Sequence, residues 1–239
     1  MPDQTPTRHL TPITVETRLQ IARFWPLFSA ITAFALFGVL AAIVVYREKD
    51  KPFGFELEWM GRVVAHRSGA WTTVALVFDF LGGGWLAIIL IPVIIIGGLL
   101  FWRRPWAALY FAIATVSSAT VVKVFKVLIG RPRPEDILVT PDFGSFPSGH
   151  SANAALIAAT MGILFSRVWV WAVGALYTVA MMLSRTYLGA HWISDTVGGM
   201  LIGVGVAIVL WAPFAYRLYH EQRAPHPFRW PRRRPAGLA

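Results

Sequence analysis

The sequence predicts an all-α, polytopic membrane protein: six transmembrane helices in a bundle, with a site at one membrane face. Three observations predict it. Of the 239 residues, 56% are apolar and 14% charged, and mean hydropathy is +0.57. A soluble domain is typically about 45–50% apolar and about 25% charged. The chain also contains six apolar runs near the length of about 20 residues that a hydrocarbon core about 30 Å thick asks of a helix. Finally, tryptophans gather at the ends of those runs (Trp25, Trp85, Trp102, Trp106, Trp192, Trp211), as an interfacial aromatic belt would place them.

The first run extends from Trp25 to Tyr46, between Arg23 and Arg47. The second covers Trp85 to Phe101 and stops at Arg103-Arg104. The third goes from Trp106 to Ile129, with Lys123 and Lys126 near its end. Gly149 to Phe165 and Val168 to Leu183 form the fourth and fifth, a tight hairpin with little more than Ser166-Arg167 between them. The sixth is Ile193 to Phe214. Residues 47–70 are polar and charged. Residues 71–81 are apolar apart from Asp79 and lead into Gly82-Gly83-Gly84, so they read as an interfacial helix or as the outer turns of span two. The loop 130–148 holds four prolines and two glycines, which rule out a regular helix. The expected division is a polar segment 1–23, a six-helix unit 24–216 and a basic tail 217–239. No internal repeat and no signal peptide are visible; residues 1–23 contain Asp3 and Glu16, and no small-residue cleavage site follows the first run.

The formal net charge is +10. Its basic residues lie mostly between the apolar runs and at the chain ends, which points to topology and to anionic head groups rather than to nucleic acid. The absence of cysteine excludes disulfides, thiolate metal sites and cysteine nucleophiles. With both termini placed in the cytoplasm, twelve Lys and Arg fall inside and ten outside. The outer group is offset by Glu48, Asp50, Glu56, Glu58, Glu135, Asp136 and Asp142. This bias sets the expected orientation, both termini in.

Six antiparallel spans bring three regions to one side: the end of span three with its loop, the start of span four, and the loop between spans five and six. They hold Lys126, Arg131, Arg133, Ser148, Gly149, His150, Arg185, His191 and Asp195. The opposite side has only Arg103, Arg104 and Arg167 between spans. Ionisable groups at membrane depth are functional candidates by default. Lysine and arginine neutralise phosphate, arginine as a bidentate fork. Ser148 can cap the helix that follows it, Gly149 admits a ligand close to the backbone, and free N–H groups at a helix start bind anions. His191 and Asp195, four residues apart, share a helix face, so the carboxylate can hold the imidazole in a nucleophile's tautomer. His150 is then available as the acid for the leaving oxygen. Asp79 reads as interfacial, Met181-Met182 as core, and Gly199 with Gly203 as a helix-packing G-x-x-x-G.

At these residues the chain resembles the type 2 phosphatidic acid phosphatase family. Its signature has Lys, six residues, then Arg-Pro; then Pro-Ser-Gly-His; then Ser-Arg, five residues, His, three residues and Asp. Lys126 with Arg133-Pro134, Pro147 to His150, and Ser184-Arg185 with His191 and Asp195 match it in order without substitution. Arg131 falls outside the spacing and takes no assigned role. The resemblance implies a metal-free, cofactor-free phosphatase. In it His191 attacks phosphorus, Asp195 orients His191, and His150 protonates the leaving group. Lys126, Arg133, Ser148, Gly149 and Arg185 hold the phosphoryl oxygens, and a phosphohistidine forms and is hydrolysed. The expected substrate is a lipid phosphomonoester or pyrophosphate such as phosphatidate, phosphatidylglycerol phosphate or undecaprenyl pyrophosphate. The expected location is a bacterial cytoplasmic membrane, with the site facing outward among membrane lipids. A lipid phosphotransferase would keep every motif residue, and a lipid-phosphate binder or transporter without turnover is the other alternative. The sequence leaves the oligomeric state open.

Overall fold

A computed structural model describes residues 15–47, 51–140 and 142–223. The segment 1–14 and the tail from 224 onward lie outside the described residues. The described residues form helices and contain no strand. In chain order the helices are α1 (Val15–Tyr46), α2 (Gly54–Ala65), α3 (Gly69–Gly82), a π-helical turn (Leu86–Leu90), α4 (Ile91–Phe101), α5 (Pro105–Ile129), α6 (Gly149–Phe165), α7 (Val168–Tyr187) and α8 (Ile193–Arg223).

Four of these hold stretches long and apolar enough to cross a bilayer: Pro26–Tyr46, Pro105–Ile129, Val168–Tyr187 and Ile193–Gln222. A fifth forms if α3 and the π-turn with α4 count as one span, bent by 46° at Gly83 to Trp85. Residues 71–81 lie within α3, the first part of that bent pair. α6 is apolar but has only 17 residues. Large apolar side chains such as Phe28, Ile88, Ile94, Val116 and Leu176 are more than half exposed, which suits contact with lipid.

Local chemistry fixes the helix ends that matter for the site. α5 starts on Pro105 at its first turn, where no N–H is needed, and stops at Gly130, whose left-handed φ of 60° closes the helix with an N–H bond to the Lys126 carbonyl. The proline-rich segment 130–148 is non-helical, as its composition requires. Ser148 caps α6, its hydroxyl accepting from the Ser151 N–H at 3.4 Å. Three differences from the expected layout have simple causes. The polar segment 47–70 holds α2, capped by Glu56, whose carboxylate accepts the Phe53 N–H three residues earlier at 3.0 Å. α7 runs one turn past Leu183, so Arg185 sits on a helix rather than in a loop. α8 continues past the expected boundary at 217, and Glu221 accepts the N–H groups of Trp106 and Ala107 at the start of α5.

α6 and α8 form the centre. α8 packs along α6, α1 and α5, and α6 also lies on α7 and α5, while α3 packs on α7. Small residues let α6 and α8 meet closely. A Cβ on Gly199 would come within 2.2 Å of the Ser148 carbonyl, and one on Gly203 within 2.2 Å of the Ala152 carbonyl. The G-x-x-x-G is thus a notch that seats the first turns of α6. Phe146, fully buried just before α6, stacks on Phe37 of α1 at 5.7 Å between ring centroids and leans on Gly198. This packing fixes where Ser148, Gly149 and His150 begin.

Candidate active site

One end of the bundle collects the predicted residues. Lys126 comes from the last turn of α5, Arg133 from the loop, Ser148 caps α6, and Gly149 and His150 open it. Arg185 comes from the last turn of α7, His191 from the turn after it, and Asp195 from the first turn of α8. The Ser148 N–H donates to the Asp195 carbonyl at 2.9 Å, tying the α6 start to the α8 start.

His191 is 2% exposed. Its Nε2 lies 3.4 Å from Arg133 NH1, and its Nδ1 lies 3.6 Å from Asp195 Oδ2, longer than a hydrogen bond. Burial, and next the positive charges of Arg133, Arg185 and Lys126, hold this imidazole neutral well below the ordinary histidine range. Asp195 is fully buried. Its Oδ2 accepts the Trp192 N–H at 2.8 Å, and its Oδ1 accepts from Arg131 NH1 at 2.6 Å. Arg131 NH1 also reaches Ser194 Oγ at 2.7 Å, and its NH2 reaches Glu56 Oε2 at 2.9 Å.

His150 has a different partner. Its Nε2 is 3.2 Å from Asp79 Oδ1, close enough for an ion pair but off the line that a hydrogen bond needs. The same Asp79 oxygen accepts from Arg185 NH1. α3 ends against the ring: a Cβ on Gly83 would fall 2.3 Å from His150 Nε2, and one on Gly82 would fall 3.0 Å from its Cδ2.

Lys126 and Arg133 share a carboxylate too. Lys126 Nζ donates to Asp142 Oδ1 at 3.1 Å and to the Gly144 carbonyl at 2.8 Å. Arg133 NH2 donates to the same two groups, and its NH1 donates to the Ala190 carbonyl at 2.5 Å. Partial burial pushes the Asp142 carboxyl up, but Lys126 and Arg133 outweigh it and leave the group below its ordinary value. Ser148 is fully buried, and its hydroxyl is engaged with Ser151. A Cβ on Gly149 would meet only Val122 Cγ1 at 3.7 Å, so space alone does not demand glycine there.

Five buried side-chain polar atoms among the described residues have no hydrogen-bond partner, and three belong to this cluster: His150 Nε2, His191 Nδ1 and Arg185 Nε. Orphaned buried polar atoms are rare in folded proteins. Concentrated among cations, they mark a place shaped for an anion and for proton transfer.

Sequence reasoning missed four members. Asp79 reads as interfacial in the sequence, yet it bridges His150 and Arg185. A carboxylate inside an apolar run beside three glycines was the available signal. Arg131, Glu56 and Asp142 had no assigned role. The Arg131–Glu56 contact joins residues 75 positions apart, and no local pattern announces it.

Residues 107–219 match the model of the PAP2 superfamily. Phosphatidylglycerophosphatase B of Bacillus subtilis is 32% identical over 127 residues, covering 48% of this chain and 63% of that protein. An undecaprenyl-diphosphatase of Sulfolobus acidocaldarius is 28% identical over 118 residues, 46% of this chain and 57% of that protein. The chain therefore spans somewhat over half the length of these curated relatives. The crystal structure of a transmembrane PAP2-type phosphatidylglycerolphosphate phosphatase from Bacillus subtilis superposes with a TM-score of 0.68 at 25% identity, over 84% of this chain and all of that one. Sequence motifs, matched stretch and helical layout agree in their likeness to the PAP2 superfamily.

Proposed function

We propose that this protein is an integral membrane phosphatase that hydrolyses the phosphomonoester or pyrophosphate of a lipid, without a metal. The observation that carries the reading is the cluster of orphaned atoms of His150, His191 and Arg185 among cations now held by the carboxylates of Asp79 and Asp142. A phosphoryl group carries oxygens of the same charge and takes the same donors. Lys126, Arg133, Arg185 and the Gly149 N–H receive those oxygens, and Ser148 holds the helix start that presents the N–H. With Nδ1–H turned to Asp195, His191 attacks phosphorus through Nε2. The bond to the leaving oxygen breaks, and His150 gives that oxygen a proton. Water then attacks the phosphohistidine, with His150 taking its proton, and phosphate leaves.

The relatives' names, phosphatidylglycerophosphatase and undecaprenyl-diphosphatase, support a lipid-borne phosphate. Counting the bent pair once and α6 as a span gives six spans across a phosphatase unit of residues 24–216, flanked by 1–23 and 217–239. An even number of spans leaves both termini on one side, the cytoplasm by the charge bias, and turns the site outward from a bacterial cytoplasmic membrane.

The test is phosphate release in detergent with excess EDTA, for wild type and His191→Ala, on phosphatidate, phosphatidylglycerol phosphate and undecaprenyl pyrophosphate. The expected result is release that survives EDTA and falls by about 10⁴-fold or more in the variant. Release abolished by EDTA overturns the metal-free mechanism. A cysteine placed at Asp142 is expected to react with an impermeant thiol reagent in intact cells, and protection there with labelling at Arg167→Cys reverses the topology.

A further inference from the structure

Arg131, Glu56 and Asp195 form a line of three buried charges behind His191, with side chains 0–1% exposed. Burying charges is unfavourable unless geometry and hydrogen bonds compensate, and a tie between helices needs no charge. The arrangement is specific. Asp195 commits Oδ1 to Arg131, and its Oδ2, fixed by the Trp192 N–H, is the oxygen that faces His191 Nδ1. The carboxylate cannot turn without breaking one of these bonds.

Arg131 is held in turn. Glu56 Oε2 accepts from its NH2, and Glu56 Oε1 accepts from the Ser194 N–H at 2.8 Å and from Ser194 Oγ at 2.6 Å. Charge completes the picture. Arg131 alone would cancel Asp195, whereas Glu56 returns the trio to one net negative charge. That charge lies behind the ring that gains positive charge as its Nε2 bonds to phosphorus.

We propose that Arg131 and Glu56 are positioning residues for the nucleophile: through Asp195 they set the tautomer and ring orientation with which His191 attacks. The proposal rests on the phosphohistidine reading above. It gives the 47–70 segment a role in the chemistry, since α2 delivers Glu56 to the far end of the line.

The experiment is rapid-quench labelling of the full-length protein in detergent with radiolabelled lipid phosphate, for wild type, Arg131→Lys, Glu56→Gln and Ser194→Ala. Burst amplitude counts competent sites, and burst rate reports the attack within each site. The expected result is a burst rate lower by about 10- to 100-fold in Arg131→Lys and Glu56→Gln, with KM within about twofold of wild type, because small misplacements of a reacting group have effects of that size. A merely structural role lowers the amplitude and leaves the rate unchanged, which overturns the proposal. A loss confined to KM overturns it as well. Should the two charge variants not fold, Ser194→Ala decides: it loosens Arg131 and Glu56 without stranding a charge, and a wild-type burst rate there sinks the proposal. If wild type itself gives no labelled histidine on any lipid phosphate, the functional reading fails first and takes this one with it.

Discussion

His191 is 2% exposed and backed by a carboxylate whose oxygens are both already held, whereas the His150 side chain is 21% exposed and meets one carboxylate, Asp79, itself 30% exposed and shared with Arg185. One imidazole is set in a closed network, and the other is partly exposed and sits against the end of α3. The difference matches the tasks proposed for them. A nucleophile gains from being fixed in one geometry, while a group that serves first as acid and then as base must exchange partners between two steps.

That contrast can be broken at four points. The largest effect is expected for Asp195→Asn, which removes the negative charge behind His191 and puts an amide where Trp192 and Arg131 donate; the burst rate should fall by about 10³- to 10⁴-fold. A fall under tenfold would mean that the closed network is scaffolding. Gly83→Ala comes next. Its methyl group would meet His150 Nε2, so turnover on lipid should fall about 10- to 100-fold, and an aryl phosphate with an acidic leaving group should recover most of it because the acid is no longer needed. Equal losses on both substrates would show that the His150 side is as rigid as the other.

Asp79→Asn should act mildly. It frees Arg185 for the phosphoryl group, so KM is expected to fall about two- to fivefold with kcat changed less than tenfold, in keeping with a half-open ion pair. A kcat loss beyond 10²-fold would move Asp79 into the proton-transfer step. The smallest effect concerns pH. His191 is faced by Arg133, Arg185, Lys126 and His150 on the positive side and by Asp195 and Asp142 on the negative side. Burial and the cations lower its affinity for protons, so its reactive neutral form should persist below the free-imidazole value of about 6.5. The burst rate should therefore hold as pH falls through that value. Arg133→Gln removes one cation, and the acid limb should move to higher pH; an unmoved limb would assign it to another group.

Much of the site was legible because its chemistry is written in short spacings. His191 and Asp195 lie four residues apart, although His191 stands in the turn just before α8 and not on the helix face the spacing suggests; Pro147 to His150 is a cap followed by a helix start, and Gly199 and Gly203 mark the notch they form. The bundle itself was legible in apolar run lengths, which place the ends of α5 and α6 within a residue or two. What stayed hidden depends on long-range pairing. Glu56 looked like one acid in a polar segment, and only the fold brings it to Arg131 and Ser194. Asp79 looked interfacial because its partners are more than 70 and more than 100 residues away. Arg185 was expected in a loop because the apolar run fades at Leu183, although Thr186 and Tyr187 continue the helix.

The short length of α6 has a bearing on the host membrane. Seventeen residues at a rise of 1.5 Å make a rod of about 26 Å, against a hydrocarbon thickness of about 30 Å. The 25-residue α5 and the 31-residue α8 beside it are longer. With α6 crossing as proposed and its C-terminal end at one surface, His150 would lie a few ångströms short of the opposite head groups, at the bottom of a dimple walled by longer neighbours. A phosphate there must leave bulk water, whereas the acyl or prenyl chain behind it need not leave oil. Lipids with longer tails deepen the dimple and shorter ones raise its floor, so the acyl composition of the bilayer becomes a setting on how easily the proposed substrate reaches the site.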